Sequence, residues 1–304
     1  MMSSFVSQSD VSTKIDVPSR SNQDRGAHWI IDSSNGPIDI FMVNDGHGKD
    51  GALFSEFAVT WVENMISTQV VDWEADDLTQ ALHDMIISLE ETMKDKHKFK
   101  SGGTTLSLFI RRGSLDNWVV NLGDSEIVMF DKSSKSHVIL SEAHCPGNID
   151  EFQRIISTNP DTIFEYDKQI KVGPIIPVYE QVDDKWIKTA TPTNNVYYKN
   201  VEGDFAIYFG DGVNYKLSTT RSIGDFHFKQ HFGASAEPYI KRLEPMNEDQ
   251  IVFIASDGFW DCWKYSELTE FLQKKSLEEL ENDHVEKANG YFGSSKDDTF
   301  VYII

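Results

Sequence analysis

Two aspartates, each followed by glycine, stand directly after apolar stretches of this chain. Residues 38–43 are largely apolar and lead into Asp-Gly-His-Gly at residues 45–48, while the apolar residues 251–255 lead into Ser256, Asp257 and Gly258. A glycine at a strand end lets the backbone approach another group closely. The Asp45 carboxylate and the Gly46 carbonyl can therefore act as neighbouring oxygen ligands, and the two Asp-Gly corners suggest one shared cation site.

Three further segments combine an acid with small or polar residues. They are Asn-Gln-Asp at residues 22–24, Gly-Asp-Ser at 123–125 and Lys-Asp-Asp-Thr at 296–299. Each segment alone is weak evidence, because Asp and Gly also suit turns. Residues 123–125 equally fit a hairpin corner, and Asp297 with Asp298 a solvated loop end. Their common position beside strong apolar strands favours a site.

The elements that must position these acids follow from turns and periodicity. Residues 28–32 and 38–43 flank Asn35-Gly36 and predict a hairpin. Apolar residues recur at helical spacing over 53–66 and 78–93. The pattern further predicts strands at 104–110, 118–122, 127–130, 138–140, 205–209, 251–255 and 300–304, and helices at 149–156 and 265–280.

The order of these elements predicts the fold class. Strands joined by short turns must be antiparallel, because parallel neighbours need long crossovers. Strands, then helices, then more strands are typical of a layered α+β fold. No repeat or linker divides the chain, so we expect one continuous domain over residues 1–304. Residues 158–200 are polar, aromatic-rich and irregular, and we interpret them as a flap-like excursion.

Composition excludes several classes of protein. The 304 residues are 39% apolar and 12% aromatic, enough for a core, and the net charge of −21 argues against binding to nucleic acid or an anionic membrane. That acidity indicates either solubility or acids that converge on metal ions. Cys145 and Cys262 have no zinc or disulfide spacing and are expected to be reduced. No secretory signal or membrane span is visible, so we expect an intracellular protein, cytoplasmic and/or nuclear.

The motifs, taken in order, resemble those of the metal-dependent Ser/Thr protein phosphatases of type 2C, the PPM family. Residues 45–48 match the most diagnostic motif of that family without change, and residues 22–24 resemble its first acidic motif in a Gln variant. Five more segments resemble family motifs: 101–105 (Ser-Gly-Gly-Thr-Thr), 121–125 (Asn-Leu-Gly-Asp-Ser), 140–146 (Leu-Ser-Glu-Ala-His-Cys-Pro), 217–226 (Leu-Ser-Thr-Thr-Arg-Ser-Ile-Gly-Asp-Phe) and 255–261 (Ala-Ser-Asp-Gly-Phe-Trp-Asp).

This resemblance implies a four-layer α-β-β-α sandwich, in which two central antiparallel sheets are flanked by helices. It also implies a single type-2C phosphatase-like catalytic domain over residues 1–304, with a divergent flap-like excursion around 158–216. The expected activity is that of a protein serine/threonine phosphatase, with phosphorylated proteins as substrates, no nucleic-acid or membrane partner, and a monomeric state.

The resemblance also assigns metal ligands. Asp45 would bridge two Mg²⁺ or Mn²⁺ ions, and the Gly46 carbonyl would hold one of them. Asp257 and one acid of the pair Asp297 and Asp298 would complete the other. Asp24 would support the site through bound water, and Asp124 with Asp257 would hold a third, weaker ion. Such oxygen-only sets suit Mg²⁺ or Mn²⁺ rather than zinc.

The expected reaction needs no phospho-enzyme. Two cations about 3.5–4 Å apart lower the pKa of a bridging water, and the resulting hydroxide attacks a phosphate monoester. His47 would protonate the departing Ser or Thr oxygen, while the alternative role for His47 is to orient Asp45. We interpret the segment with Arg221, Gly224 and Asp225 as a brace of the core.

Some positions depart from the family pattern. The phosphate-binding arginine of the family stands five residues before the first acidic-motif Asp, where this chain has Ser19, with Arg20 four before it. A one-residue slip reverses a strand side chain unless a bulge absorbs it. Arg20 remains our candidate for the phosphate, with Arg25 as the alternative.

Three more departures affect the candidate ligands and their surroundings. Gln23 replaces the more usual ligand Glu, and Glu126 stands where an arginine is common. The last acidic motif is one residue shorter before its threonine, so either Asp could be the ligand and we prefer Asp297 over Asp298.

Two other functions compete with the phosphatase. A pseudophosphatase would keep the fold as a protein-binding module, and loss of a ligand acid would signal it. Asp45, Asp257 and Asp297 are all present, which favours the enzyme. Another two-metal phosphoesterase, such as a nuclease, is disfavoured by the net charge of −21 and by the lack of a basic stripe.

Overall fold

A computed structural model describes residues 3–7, 22–68, 71–96, 101–166, 177–189, 206–209, 216–292 and 299–304. The strands are β1 (Ser3–Ser7), β2 (Arg25–Ile31), β3 (Ile38–Asn44), β4 (Gly46–His47), β5 (Gly103–Thr104), β6 (Leu106–Arg112), β7 (Asp116–Leu122), β8 (Ile127–Asp131), β9 (Ser136–Ile139), β10 (Ile163–Tyr166), β11 (Tyr179–Val182), β12 (Lys185–Lys188), β13 (Ala206–Phe209), β14 (Lys216–Leu217), β15 (Ile223–Gly224), β16 (Tyr239–Leu243), β17 (Gln250–Ala255) and β18 (Thr299–Ile303). The helices are α1 (Gly51–Ser67), α2 (Thr79–Lys94), α3 (Ile149–Thr158), α4 (Phe226–His231), α5 (Asp257–Trp260), α6 (Tyr265–Lys274) and α7 (Leu277–Phe292).

Two five-stranded antiparallel sheets form the centre of the fold. The first sheet has the order β16-β7-β6-β3-β2, and the second has the order β1-β18-β17-β8-β9. Helices α1 and α2 pack on the outer face of the first sheet, and α5, α6 and α7 on the outer face of the second. The predicted α-β-β-α sandwich is therefore confirmed.

Successive side chains of a strand point to opposite faces of the sheet, so each sheet contributes to two hydrophobic cores. In β3, Ile40 and Met42 point to α1 and α2, whereas Phe41 points to the space between the sheets. In β17, Phe253 points to the helices and Ile254 to the inter-sheet core. Because both faces are covered, each of these strands is almost continuously apolar.

Most predicted elements are present, including the hairpin of β2 and β3. The single helix predicted at 265–280 is wrong, because the chain is extended at Lys275 and starts α7 at Leu277. The Ser276 N–H and hydroxyl both donate to the Glu279 carboxylate, and the Glu279 N–H donates back to the Ser276 carbonyl. These bonds, which include the Glu-to-N–H half of a capping box, satisfy the Ser276 and Glu279 N–H groups at the start of a new helix and separate α7 from α6.

The excursion after α3 contains strands of its own. In its described part, β10 pairs with β13, and β11 forms a hairpin with β12. Our prediction of an irregular segment over 158–200 is therefore wrong for the described residues there. Phe152 of α3 packs against Phe164 and Trp186, with ring centroids 4.8 and 4.9 Å away. These aromatic contacts attach the excursion to α3.

Two predictions from the composition concern membrane-spanning helices and the state of the cysteines. None of the helices in the ranges given above is long and apolar enough to cross a lipid bilayer. Cys145 and Cys262 are not joined in a disulfide, as predicted, and Cys262 is fully buried. Burial raises the pKa of the Cys262 thiol to about 12, so it packs as a neutral group.

A buried ion cluster fixes α3 to the segment before β15. The Glu151 carboxylate, 3% exposed, accepts hydrogen bonds from Arg154 at 2.7 Å, from Arg221 at 2.6 Å and from the Thr220 hydroxyl at 2.7 Å. Burial alone would raise the pKa of Glu151, but the two guanidinium groups outweigh it and hold the pKa far below its usual range. The carboxylate is therefore charged in the folded protein.

We expect Glu151→Gln to destabilise the protein at pH 7 by about 2–4 kcal/mol, because it leaves two arginines without their buried partner. A depressed pKa gives stability that is present above the unfolded value, about 4.3, and lost as pH falls below it. The unfolding free energy of the wild type should therefore fall more steeply below pH 4.3 than that of the variant, measured by urea denaturation at several pH values. The exposed Glu56→Gln on α1 is the control. Equal slopes for wild type and Glu151→Gln would contradict the assignment.

Candidate active site

Hydrogen bonds on both sides hold the backbone of the Asp45 corner. The Asp45 N–H donates to the Thr105 hydroxyl at 2.9 Å. The Asp45 carbonyl accepts from the Thr105 N–H at 2.9 Å and from the Thr104 hydroxyl at 3.0 Å. The end of β3 is therefore fixed to the start of β6, and the Asp45 side chain leaves the sheet from a rigid position.

Gly46 is closely packed by backbone from two other segments. A Cβ atom at this position would lie 2.6 Å from the carbonyl oxygens of both Gln23 and Gly51. The Gln23 side-chain amide donates to the Gly48 carbonyl at 3.0 Å, and the Ser55 hydroxyl donates to the Gln23 carbonyl at 2.6 Å. The first acidic motif thus supports the Asp-Gly-His-Gly corner directly, and only glycine fits at residue 46.

The Gly-Asp-Ser segment passes from one sheet to the other. Residues 123–126 connect β7 of the first sheet with β8 of the second, so the alternative of a hairpin corner is wrong. The Ser125 hydroxyl lies 2.7 Å from the Thr105 hydroxyl, the same group that holds Asp45. Thr105 therefore brings the segments of Asp45 and Asp124 together.

His144 fixes this turn from the other side. The Gly123 N–H donates to His144 Nδ1 at 3.2 Å, and the His144 N–H donates back to the Gly123 carbonyl at 2.9 Å. Burial, followed by the charge of Arg221, lowers the pKa of His144 to about 3. The ring is therefore neutral and can accept a hydrogen bond at Nδ1.

Glu126 links the Asp124 turn to the Asp257 corner. Its carbonyl accepts from the Ala255 N–H at 3.2 Å and from the Trp260 indole N–H at 3.2 Å. Its carboxylate, which is buried, accepts a hydrogen bond from the Tyr265 hydroxyl. Glu126, which stands where an arginine is common in the family, therefore has the Tyr265 hydroxyl as its partner. Asp257, the first residue of α5, lies beside Glu126.

The three described corner acids share a pattern of exposure. Asp45, Asp124 and Asp257 are each partly exposed, while the residues immediately before and after each of them are buried. Asp24, by contrast, is only 5% exposed. The three corner acids thus reach solvent from buried strand ends, as the lining of an accessible site would.

His47 lies among these acids. Its side chain is 25% exposed, and its Nε2 lies 2.6 Å from Oδ2 of Asp225. Burial alone would lower the pKa of His47, but the charge and hydrogen bond of Asp225 outweigh it and raise the pKa above its usual value. The charges of Asp124 and Asp257 act in the same direction, so both acids are close enough to influence the ring.

Asp225 is the residue of this site that our sequence reasoning missed. We interpreted its segment as a brace of the core, and the pairing of Arg221 with Glu151 agrees with that. The contact of Asp225 with His47, from a position 178 residues later in the chain, was not anticipated. A usable signal was the Gly-Asp pair itself, because Gly224 and Asp225 both adopt positive φ, at +93° and +46°.

Only one of the remaining candidate site residues lies within the described part of the chain. Arg20, Asp297 and Asp298 lie outside the described residues. Arg25 lies beside the first acidic motif, where its Nη1 donates to the carbonyls of Asn22 and Asp24 at 2.8 and 2.7 Å.

Only some of the candidate metal ligands lie within the described residues. Across the described ranges, no group of three or more His, Cys, Asp or Glu side chains is placed to hold a metal ion. The candidate donors that are described, the carboxylates of Asp45, Asp124 and Asp257 and the Gly46 carbonyl, are all oxygens. By donor chemistry the residues therefore fit Mg²⁺ or Mn²⁺.

Comparison with known proteins gives a consistent assignment. The family described as Protein phosphatase 2C matches residues 13–169 and 201–288. The chain is 25% identical over 249 residues to Protein phosphatase 2C homolog 3 of Schizosaccharomyces pombe, which covers 78% of this chain and 47% of the relative. It is 27% identical over 245 residues to Protein phosphatase 2C homolog 2 of Aspergillus fumigatus, covering 77% and 45%. The chain thus spans about half the length of the curated relatives that it matches.

Solved structures share the fold. A C. elegans sex determining protein superposes with a TM-score of 0.63 at 17% identity, over 100% of this chain and 64% of the other. The serine-threonine phosphatase 2C from Toxoplasma gondii superposes with a TM-score of 0.61 at 15% identity, over 99% and 93%. At such identities the likeness shows the fold alone. Because the family match extends over most of the sequence, this chain belongs to the protein phosphatase 2C family.

Proposed function

We propose that this chain is a protein serine/threonine phosphatase that depends on Mg²⁺ or Mn²⁺. The observation that carries the proposal is the joining of three acidic corners, those of Asp45, Asp124 and Asp257, around His47 by the contacts of Thr105 and Glu126. Membership of the protein phosphatase 2C family supports it. Phosphorylated proteins are the proposed substrates, and the monomeric state remains a prediction.

The proposed metal ligands are Asp45, the Gly46 carbonyl and Asp257, with one acid of the pair Asp297 and Asp298. Asp24 would act through water, and Asp124 would serve a third, weaker ion. When bound, two such cations supply the Lewis acidity that activates water and neutralises charge on the phosphoryl group.

The chain itself would supply positioning and a proton. Thr105 holds the backbone of Asp45, so this carboxylate needs little rearrangement to bind a cation. His47 would protonate the departing Ser or Thr oxygen, a role supported by its partial exposure and by its position near Asp124 and Asp257. Arg20 is the proposed phosphate-binding residue. The competing function, a pseudophosphatase that binds partners without turnover, is disfavoured by the retention of Asp45, Asp124 and Asp257.

Metal dependence is the first test. Purified protein should hydrolyse a phosphothreonine peptide and an aryl phosphate with Mn²⁺ or Mg²⁺ and lose this activity in EDTA. Asp45→Asn and Asp257→Asn should each lower kcat/KM by about 100-fold or more, because several kcal/mol of charge stabilisation would be lost. Asp84→Asn on α2, whose side chain is 67% exposed, is the matched control and should be unaffected.

Calorimetric titration with Mn²⁺ gives a readout independent of turnover. We expect saturable binding by the wild type and by Asp84→Asn, with weaker binding by Asp45→Asn and Asp257→Asn. Hydrolysis that persists in EDTA would refute the metal mechanism. Absence of turnover on both substrates would support the binding-module alternative instead.

The close packing of Gly46 gives a second prediction. Gly46→Ala should reduce Mn²⁺ affinity and activity and destabilise the fold by about 1–3 kcal/mol, because its Cβ would overlap the carbonyls of Gln23 and Gly51. Gly290→Ala is the matched control, since a Cβ there meets no atom within 4 Å. Titration calorimetry and thermal denaturation measure the two effects. A Gly46→Ala protein with wild-type affinity and stability would contradict the packing argument.

A further inference from the structure

The His47 ring is attached to the protein through one nitrogen. Nε2 lies 2.6 Å from Oδ2 of Asp225, and the Ser222 hydroxyl donates to the same oxygen at 2.6 Å. The Asp225 side chain is only 4% exposed, whereas that of His47 is 25% exposed. No described residue provides a hydrogen bond at Nδ1 of His47. The ring thus has one buried, partnered nitrogen and one that remains for another group.

The backbone conformation at Asp225 directs its carboxylate towards His47. Asp225 has φ of +46°, in the left-handed region that side chains other than Asn and Asp rarely adopt. Its N–H donates to the Gly102 carbonyl at 2.9 Å. A Cβ on Gly103 would lie 2.5 Å from Asp225 Oδ2, so a glycine there gives the carboxylate its space. A strained backbone is kept where the surrounding contacts require it.

A second set of contacts fixes this turn to helix α2. One oxygen of Glu90 accepts from the Gly224 N–H at 2.8 Å, and the other accepts from the Lys229 ammonium at 2.5 Å. Lys229 also donates to the Ser222 carbonyl at 2.7 Å. The residues on both sides of Asp225 are therefore held by one largely buried ion pair. This arrangement restrains the direction from which Asp225 meets His47.

We propose that Asp225 is a positioning residue for His47, which fixes the ring through Nε2 and directs Nδ1 to the leaving oxygen of the substrate. This rests on the proposed phosphatase function and adds to it the atom that donates the proton. In the step, the oxygen of a water molecule that has lost a proton forms a new bond to phosphorus, and the P–O bond to the Ser or Thr oxygen breaks. The departing oxygen takes the proton from Nδ1 of the imidazolium, leaving a neutral ring whose Nε2–H stays bonded to Asp225, and inorganic phosphate is released. Asp225 itself remains a carboxylate throughout.

A purely structural role for Asp225 makes a different prediction. A bond that only stabilises the turn would affect all substrates alike once the protein is folded. A residue that acts through the proton donor affects substrates according to how much their leaving group needs a proton. Serine and threonine alkoxides are poor leaving groups, whereas p-nitrophenolate leaves without protonation.

The test compares a phosphothreonine peptide with p-nitrophenyl phosphate at saturating Mn²⁺. Asp225→Asn and Asp225→Gly both suit a left-handed backbone, so their folds should persist. We expect kcat on the peptide to fall by about 10- to 100-fold and kcat on p-nitrophenyl phosphate by less than about threefold. Asp184→Asn is the matched control, because Asp184 also has a left-handed φ, +60°, but lies exposed in the β11–β12 turn.

A double-mutant cycle with His47→Gln shows whether Asp225 acts through the histidine. In the His47→Gln protein, Asp225→Asn should cause no further loss on the peptide. Ser222→Ala, which removes the other hydrogen bond to the same oxygen, should give a smaller loss with the same dependence on leaving group. Thermal denaturation and Mn²⁺ titration establish that each variant is folded and binds metal.

The outcomes separate this proposal from the one on which it rests. A wild type without Mn²⁺-dependent turnover would overturn the phosphatase function and this role with it. An active wild type whose Asp225 variants lose both substrates equally, lose neither, or lose activity additively with His47→Gln would overturn the positioning role alone.

Discussion

The structure depends on neutral hydrogen bonds that join the segments carrying Asp45, Asp124 and Asp257. The Thr105 hydroxyl contacts both the Asp45 N–H and the Ser125 hydroxyl, and the Glu126 carbonyl accepts from the Ala255 N–H. Each such bond contributes only about 0.5–1.5 kcal/mol net, but leaving one of these buried groups unsatisfied costs about 1–3 kcal/mol. The corners therefore keep their positions without any attraction between the acids.

The sandwich explains why these bonds can form at all. β3 ends, β6 begins and β7 ends at the same edge of the first sheet, as their antiparallel register requires. β8 begins and β17 ends beside each other in the second sheet. The short turn between β7 and β8 crosses from one sheet to the other at that edge. This crossing thus brings the turn that carries Asp124 beside the strand ends that lead to Asp45 and Asp257.

Much of the architecture could be predicted from sequence because it is encoded locally. Runs of apolar residues bounded by turns predicted the strands, and the order of seven motifs indicated the family. The break between α6 and α7 also had a local signal, Ser276 and Glu279, that helical periodicity across it concealed. The Gly224-Asp225 pair signalled a left-handed turn, but nothing local indicated that Asp225 contacts His47, because the two residues are 178 positions apart. The excursion after α3 was predicted, but its strands β10, β11 and β12 were missed because they pair outside the central sheets.

Gln23 and Glu126 are the two departures from the family pattern that lie nearest the acids, and their contacts bear on the proposed catalysis. Gln23 uses its amide N–H to donate to the Gly48 carbonyl, which an ionised glutamate could not do. Glu126 is accommodated by the Tyr265 hydroxyl in the interior. Both substitutions therefore support the backbone of the corners and leave Asp45, Asp124 and Asp257 in place. The retention of these three partly exposed acids supports the proposed phosphatase over the binding-module alternative.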